Sequence, residues 1–268
     1  MNANPAHPFA AESGPILFAH RGDRANYPEN TLLAMEKSVS YGIDALELDI
    51  HMTADGVPVV IHDETVNRTT NGNGPVRDFT VDELKALDAG YWYSPDNGRT
   101  HPFRRQGLTI PTVSEVFEAF PDLWINIDIK HHKEEIIAPF VQTIRDHDMA
   151  QNVLVGSFDT KTLHRFRAAY PAVVTATTPR EIGRLLLFAS LRLGRFYSGT
   201  GRAAQVPESY GGLSIVTRRF VDTAHQNNVA IHVWTVDDKQ DMQRLFDMGV
   251  DGLISNYPIH LLEQFGRH

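Results

Sequence analysis

Apolar residues cluster in short runs spaced along the whole chain. ILFAH (16–20), ALELDIH (45–51), VPVVIH (57–62), LWINIDI (123–129), NVLVG (152–156), AVVTA (172–176), LSIV (213–216), AIHVWTV (230–236) and DGLIS (251–255) read as strands. Helical patterns lie between most of them. The pattern at 29–41 stops before Gly42, a residue suited to the left-handed position past a helix end. Patterns at 80–88 and 112–120 open with Thr80-x-x-Glu83 and Thr112-x-x-Glu115, which read as capping boxes. Further helices are expected at 132–148, 159–170, 180–196, 217–228, 238–249 and 258–266. Strands alternating with helices predict a parallel sheet, most economically a (β/α)8 barrel. Nine candidate strands exceed the eight of such a barrel, so one is expected to be peripheral.

One connection breaks the alternation. Between Asp49 and His62 there is room only for a hairpin, and Asp55-Gly56 is a strong two-residue turn signal. A turn there predicts that Asp49 faces His62 and Ile50 faces Ile61. Alternation then sets Glu47, Asp49 and His62 on one face. Leu46, Leu48, Ile50, Met52, Val59 and Ile61 take the apolar face. The stretch after His62, up to about residue 110, is too long for an ordinary strand–helix loop. It reads as a small inserted subdomain over the active-site end, and Tyr91-Trp92-Tyr93 argues against a disordered loop. The expected layout is one barrel domain over 14–268, with the insertion at about 63–110 and an N-terminal tail at 1–13.

Composition narrows the chemistry. The chain of 268 residues has no cysteine, which excludes disulfides, thiolate metal sites and a thiol nucleophile. A net charge of −8 argues against a general nucleic-acid binder. No secretory leader and no membrane span is apparent, so a cytoplasmic location is expected. Barrel active sites lie at the C-terminal strand ends. In order, those ends carry His20-Arg21-Gly22, Glu47-x-Asp49, His62-Asp63 and Asp128-x-Lys130. Each is ordinary alone, but together they bring carboxylates, histidines and cations to one mouth. Clustered carboxylates suit a hard divalent cation, Mg2+ or Ca2+. Arg21 and Lys130 suit an anionic substrate, most naturally a phosphate. Two histidines supply an acid and a base.

HRGDRANYPENT (20–31), LELDIHMTADGVPVVIHDETVNRTT (46–70), INIDIK (125–130), VGSFD (155–159), HVWTVD (232–237) and GVDGLISNYP (249–258) resemble the glycerophosphodiester phosphodiesterase family. The resemblance runs from about Ile16 to the C-terminus. It implies hydrolysis of a glycerophosphodiester to an alcohol and glycerol 3-phosphate. It implies His20 and His62 as the acid–base pair, and Glu47, Asp49 and Asp128 as ligands of one divalent metal. Arg21 and Lys130 would hold the phosphate, and Trp234 would line the pocket. Two positions depart from the family pattern. Asp128 stands where many members have Glu, and Ser255-Asn256 stands where Thr-Asp is common; the second change is expected to be structural. SEVFEAFPDLWINIDIK (114–130) resembles the subgroup acting as lysophospholipase D, so a lysophospholipid is the alternative substrate. LLLFASLRLGRFY (185–197) lies in a stretch where five arginines face one acid, and peripheral membrane contact there would suit that alternative. Two rival readings are a non-catalytic binder of phospholipid head groups, which would not need two histidines, and a metal-dependent sugar isomerase, whose ligand pattern is missing.

Overall fold

The computed structural model describes residue 9 and residues 14–267. Apart from Phe9, the tail expected at 1–13 lies outside the described residues. Eleven strands are described: β1 Ile16–His20, β2 Ala45–Met52, β3 Pro58–Val60, β4 Trp124–Ile129, β5 Val153–Gly156, β6 Val174–Thr175, β7 Ala203–Val206, β8 Ser209–Tyr210, β9 Leu213–Ser214, β10 Ala230–Val233 and β11 Gly252–Ser255. Eight of them run parallel in the order β6-β5-β4-β2-β1-β11-β10-β7. A parallel bridge from Ala176 to Ala203 joins the ends, giving a nearly closed barrel with helices between the strands.

Two strand assignments change. Of the run 213–216, only Leu213–Ser214 is strand, in an exposed hairpin with β8 away from the barrel. The barrel strand in its stead is β7, Ala203-Ala204-Gln205-Val206. Its weak β propensity hides it in the sequence. Small residues suit it because Ala203 and Ala204 are fully buried.

The hairpin keeps its place but slips by one residue. Ile50 pairs with Val60, His51 with Val59 and Met52 with Pro58. Thr53 N–H donates to the Val57 carbonyl at 3.1 Å, and Val57 N–H donates to Thr53 Oγ1 at 2.9 Å. The loop therefore holds Ala54, Asp55 and Gly56, with Gly56 at φ +83°. This is a three-residue turn ending in a left-handed glycine. Val60 thus joins Ile50 and Met52 in the main core, while Val59 and Ile61 pack with Val66, Val76, Leu84 and Ile110 of the following segment.

Helix starts follow the caps. Thr80, Thr112 and Thr178 each close a capping box with the glutamate three residues on. The first helix begins at Leu32 because Thr31 caps it, and the helix expected at 180–196 spans Pro179–Ser190. Leu187, Leu191, Leu193 and Phe196 are exposed. The segment after Ser190 leads into the start of β7 and packs Gly194 on the C-terminal end of the next helix, where Asn227 donates to its carbonyl. It therefore lies at the barrel end opposite the strand C-termini. Among the described residues no helix is long and apolar enough to cross a membrane.

Candidate active site

Alternation sorts each barrel strand into residues facing the helices and residues facing the barrel axis. Leu17 and Ala19 belong to the outer core, whereas Ile16, Phe18, Ala45, Leu154, Ala203 and Ala230 form an inner cluster capped by Phe9. Continuing the inward series towards the strand C-termini gives His20, Glu47, Asp49, Asn126, Asp128, Gly156, Gln205 and Trp234. All of these line one cavity of about 340 Å³, together with Arg21, His62 and Lys130. All eight residues singled out from the sequence therefore meet in one place. His62 arrives by a different route from the one expected. Its strand ends at Val60 and the chain bends into the mouth, tied by Ile61 N–H to the Asp49 carbonyl and by His51 Nε2 to the His62 carbonyl at 3.1 Å.

The charges pair closely. Lys130 Nζ sits 2.7 Å from Asp128 Oδ2 and 3.2 Å from Asp49 Oδ1, while Arg21 Nε lies 3.0 Å from Asp49 Oδ2. Burial opposes ionisation of Asp49, but Lys130 and Arg21 outweigh it and hold its pKa below the usual range. Burial, reinforced by Asp49, pushes Glu47 well above it, and burial also raises Asp128 despite Lys130. Burial and then Arg21 lower the His20 pKa to about 4. His20 Nδ1 is 2.6 Å from Asn256 Oδ1, and its Nε2 is 3.7 Å from Glu47 Oε2, beyond hydrogen-bond reach.

Among the described residues no group of three acidic or imidazole side chains is gathered closely enough to hold a metal ion. The three expected ligands share the mouth, with Lys130 standing between two of them. Glu47 Oε2 and Asp128 Oδ1 are nevertheless buried without a hydrogen-bond partner, and carboxylate oxygens of that kind are the donor type a hard divalent cation takes.

Several contributors were missed in the sequence. Asp63 Oδ1 lies 2.7 Å from His62 Nδ1, and Arg68 bonds both oxygens of Asp63. The Arg68 hydrogen bonds hold the Asp63 pKa down to about 2. The same guanidinium bonds both oxygens of Glu29 at 2.8 Å, and Glu29 also binds Arg21 and Arg24. The His62-Asp63 dipeptide was a usable signal, whereas the Glu29–Arg68 pairing spans 39 residues and carries none. Asn256 is also closer to the chemistry than expected. It contacts His20 and is itself fixed by Asp237 through its Nδ2 at 2.7 Å, so the change at 255–256 touches the site.

The sequence profile of the glycerophosphoryl diester phosphodiesterase family matches residues 20–260. A glycerophosphodiester phosphodiesterase of Caldanaerobacter subterraneus is 34% identical, with 92% of this chain and 96% of that protein covered. One of Bacillus altitudinis is 32% identical over 90% of this chain and 94% of that protein. Among solved structures, an Oleispira antarctica phosphodiesterase in complex with the product sn-glycerol-3-phosphate superposes with a TM-score of 0.76 at 26% identity, covering 94% of this chain and 97% of that one.

Proposed function

The chain belongs to the glycerophosphoryl diester phosphodiesterase family, whose members are phosphoric diester hydrolases, and we propose that it hydrolyses small glycerophosphodiesters to an alcohol and glycerol 3-phosphate. The observation that carries this reading is the meeting of His20, His62, Arg21 and Lys130 in one cavity. The cavity volume is at the low end for small-ligand sites, which suits a short diester better than an acyl chain. The sn-glycerol-3-phosphate held by the Oleispira phosphodiesterase is the product this reaction would leave.

Arg21 and Lys130 face the phosphate oxygens. His20 is the proton acceptor: its ring is neutral near pH 7, and with Nδ1–H donated to Asn256 its Nε2 lone pair is free. His62 is the proton donor: its Nδ1 is held by Asp63 at 2.7 Å, which orients the ring with Nε2 towards the leaving group. The nucleophile, water or the substrate's neighbouring hydroxyl, loses its proton to His20 and bonds to phosphorus. The phosphorus–oxygen bond to the leaving alcohol breaks, and that oxygen takes the proton from His62. Where the substrate's own hydroxyl attacked, water then opens the cyclic phosphate, losing its proton to one histidine while the other returns a proton to the departing ring oxygen, which gives glycerol 3-phosphate. Glu47, Asp49 and Asp128 would hold one divalent cation, Mg2+ or Ca2+; the unpartnered oxygens of Glu47 and Asp128 support this. When bound, the ion would draw charge from the phosphoryl oxygens.

A lysophospholipase D activity is the second reading, and the segment expected to serve it exposes Leu187, Leu191, Leu193 and Phe196. Those side chains lie at the far end of the barrel, so membrane contact there would not bring lipid to the mouth. The test is chelated enzyme assayed with glycerophosphocholine and lysophosphatidylcholine, with Mg2+ or Ca2+ restored separately. Metal-dependent release of glycerol 3-phosphate from the short diester is expected. Release of lysophosphatidic acid from the lipid alone would favour the second reading, and binding without turnover of either would favour a head-group binder. His62→Ala should lose roughly 10²–10⁴ in rate; activity retained within a few-fold would remove His62 from the mechanism.

A further inference from the structure

The charged groups of the cavity come from one arc of the barrel, β1, β2 and β4 with the His62 bend. The opposite arc is built differently. Its polar side chains are neutral: Ser157 just beyond β5, Thr177 just beyond β6, Gln205 on β7 and Thr235 beyond β10; of these, Thr177 and Gln205 carry unpaired buried atoms. Asn126 on β4 is paired in register with Glu47, one inward step deeper than Asp128. Asn126, Thr177 and Gln205 line the same cavity. Asn126 Oδ1, Thr177 Oγ1 and Gln205 Nε2 are each buried without a hydrogen-bond partner. Asn126 and Thr177 are 2% and 5% exposed. Buried polar groups are nearly always paired, so three unpaired ones on one cavity call for a ligand.

We infer that Asn126, Thr177 and Gln205 form a hydroxyl-binding subsite that recognises the glycerol moiety of the substrate. This deepens the phosphodiesterase reading and rests on it. The chemistry matches group by group. Asn126 Oδ1 accepts, Gln205 Nε2 donates, and a threonine hydroxyl does either, while each alcohol of a diol is both donor and acceptor. A cationic or anionic substituent finds no countercharge on these three side chains. The backbone leaves the way open between the two arcs. A Cβ at Gly156 would stand 3.2 Å from Gln205 Oε1 and 3.9 Å from Asp128 Oδ1, so glycine there keeps clear the space that joins the phosphate side to the hydroxyl side.

The experiment is a selectivity ratio. kcat/KM is measured for glycerophosphocholine, which carries the diol, and for bis(4-nitrophenyl) phosphate, which carries no hydroxyl. The variants are Thr177→Val and Gln205→Met, close to the originals in volume, and Thr177→Ser, which keeps the hydroxyl. The ratio of the two kcat/KM values should fall roughly 10- to 100-fold in Thr177→Val and in Gln205→Met, the effect of one lost hydrogen bond to a buried polar group. It should stay within about threefold in Thr177→Ser. A ratio unchanged in Thr177→Val and Gln205→Met, whether the separate rates hold or fall together, would overturn the subsite. A wild-type enzyme that cleaves the nitrophenyl diester but no glycerophosphodiester would overturn the underlying reading instead, which keeps the two failures apart.

Discussion

Glu29 joins the two loops that frame the mouth, and its removal is expected to be costly. Its side chain is only 8% exposed and receives Arg21 at 2.8 Å, Arg24 at 3.0 Å and Arg68 at 2.8 Å through two nitrogens. Arg24 and Arg68 are more than a third exposed, at 36% and 44%, so each pair contributes at most about 1 kcal/mol. The Arg21 pair is buried, and a charge-assisted bond of that kind contributes about 1.5–3 kcal/mol. Glu29→Gln should therefore cost about 1.5–5 kcal/mol, a fall in Tm of roughly 3–20 °C for a chain near this size. The pH dependence has a definite sign. Burial would raise the Glu29 pKa, but Arg68 and Arg21 outweigh it and hold it far below the usual glutamate value. Its contribution is fully present above the unfolded value, about 4.3, and is lost as pH falls towards the folded one. Thermal unfolding of both proteins followed by circular dichroism at pH 7, 5 and 3.5 should show a gap that narrows towards acid. A gap below about 1 °C at pH 7, or one that widens in acid, would refute the reasoning.

Two further substitutions probe the frame around the chemistry. Asp63→Asn removes the charge facing His62 and should lower kcat by up to roughly 10²–10⁴-fold with little change in KM; steady-state kinetics within threefold of wild type would dismiss Asp63 as a positioning residue. Gly22→Ala should destabilise by about 2–4 kcal/mol, because Gly22 sits at φ +79° and an added Cβ would lie 2.7 Å from the Ala34 carbonyl carbon. Urea unfolding with an unchanged midpoint would contradict that.

Much of the site was legible because its residues sit at positions that local rules identify. Once β1, β2 and β4 are recognised, the inward series and the C-terminal strand ends lead directly to His20, Glu47, Asp49, Asp128 and Lys130. His62 was located through a turn whose expected register was off by one, since Asp55-Gly56 signals a turn but does not tell a two-residue loop from a three-residue one. Thr53 decides between them by accepting the Val57 N–H.

What the sequence by itself determined is whatever depends on neighbours within a few residues: the strand–helix alternation, the capping boxes at Thr80 and Thr112, and the chemistry carried on the strand ends. What only the tertiary structure decided depends on partners distant in the chain. Ala203–Val206 becomes a strand because the barrel has a gap between β6 and β10 that small residues fill, not because its residues prefer the state. Arg68 reaches Glu29, and Asn256 reaches His20 across 236 residues, only once the barrel has closed. Closure is likewise what leaves Asn126, Thr177 and Gln205 buried on one cavity with polar atoms unpaired, since burial and pairing belong to the packed chain and not to any segment of it.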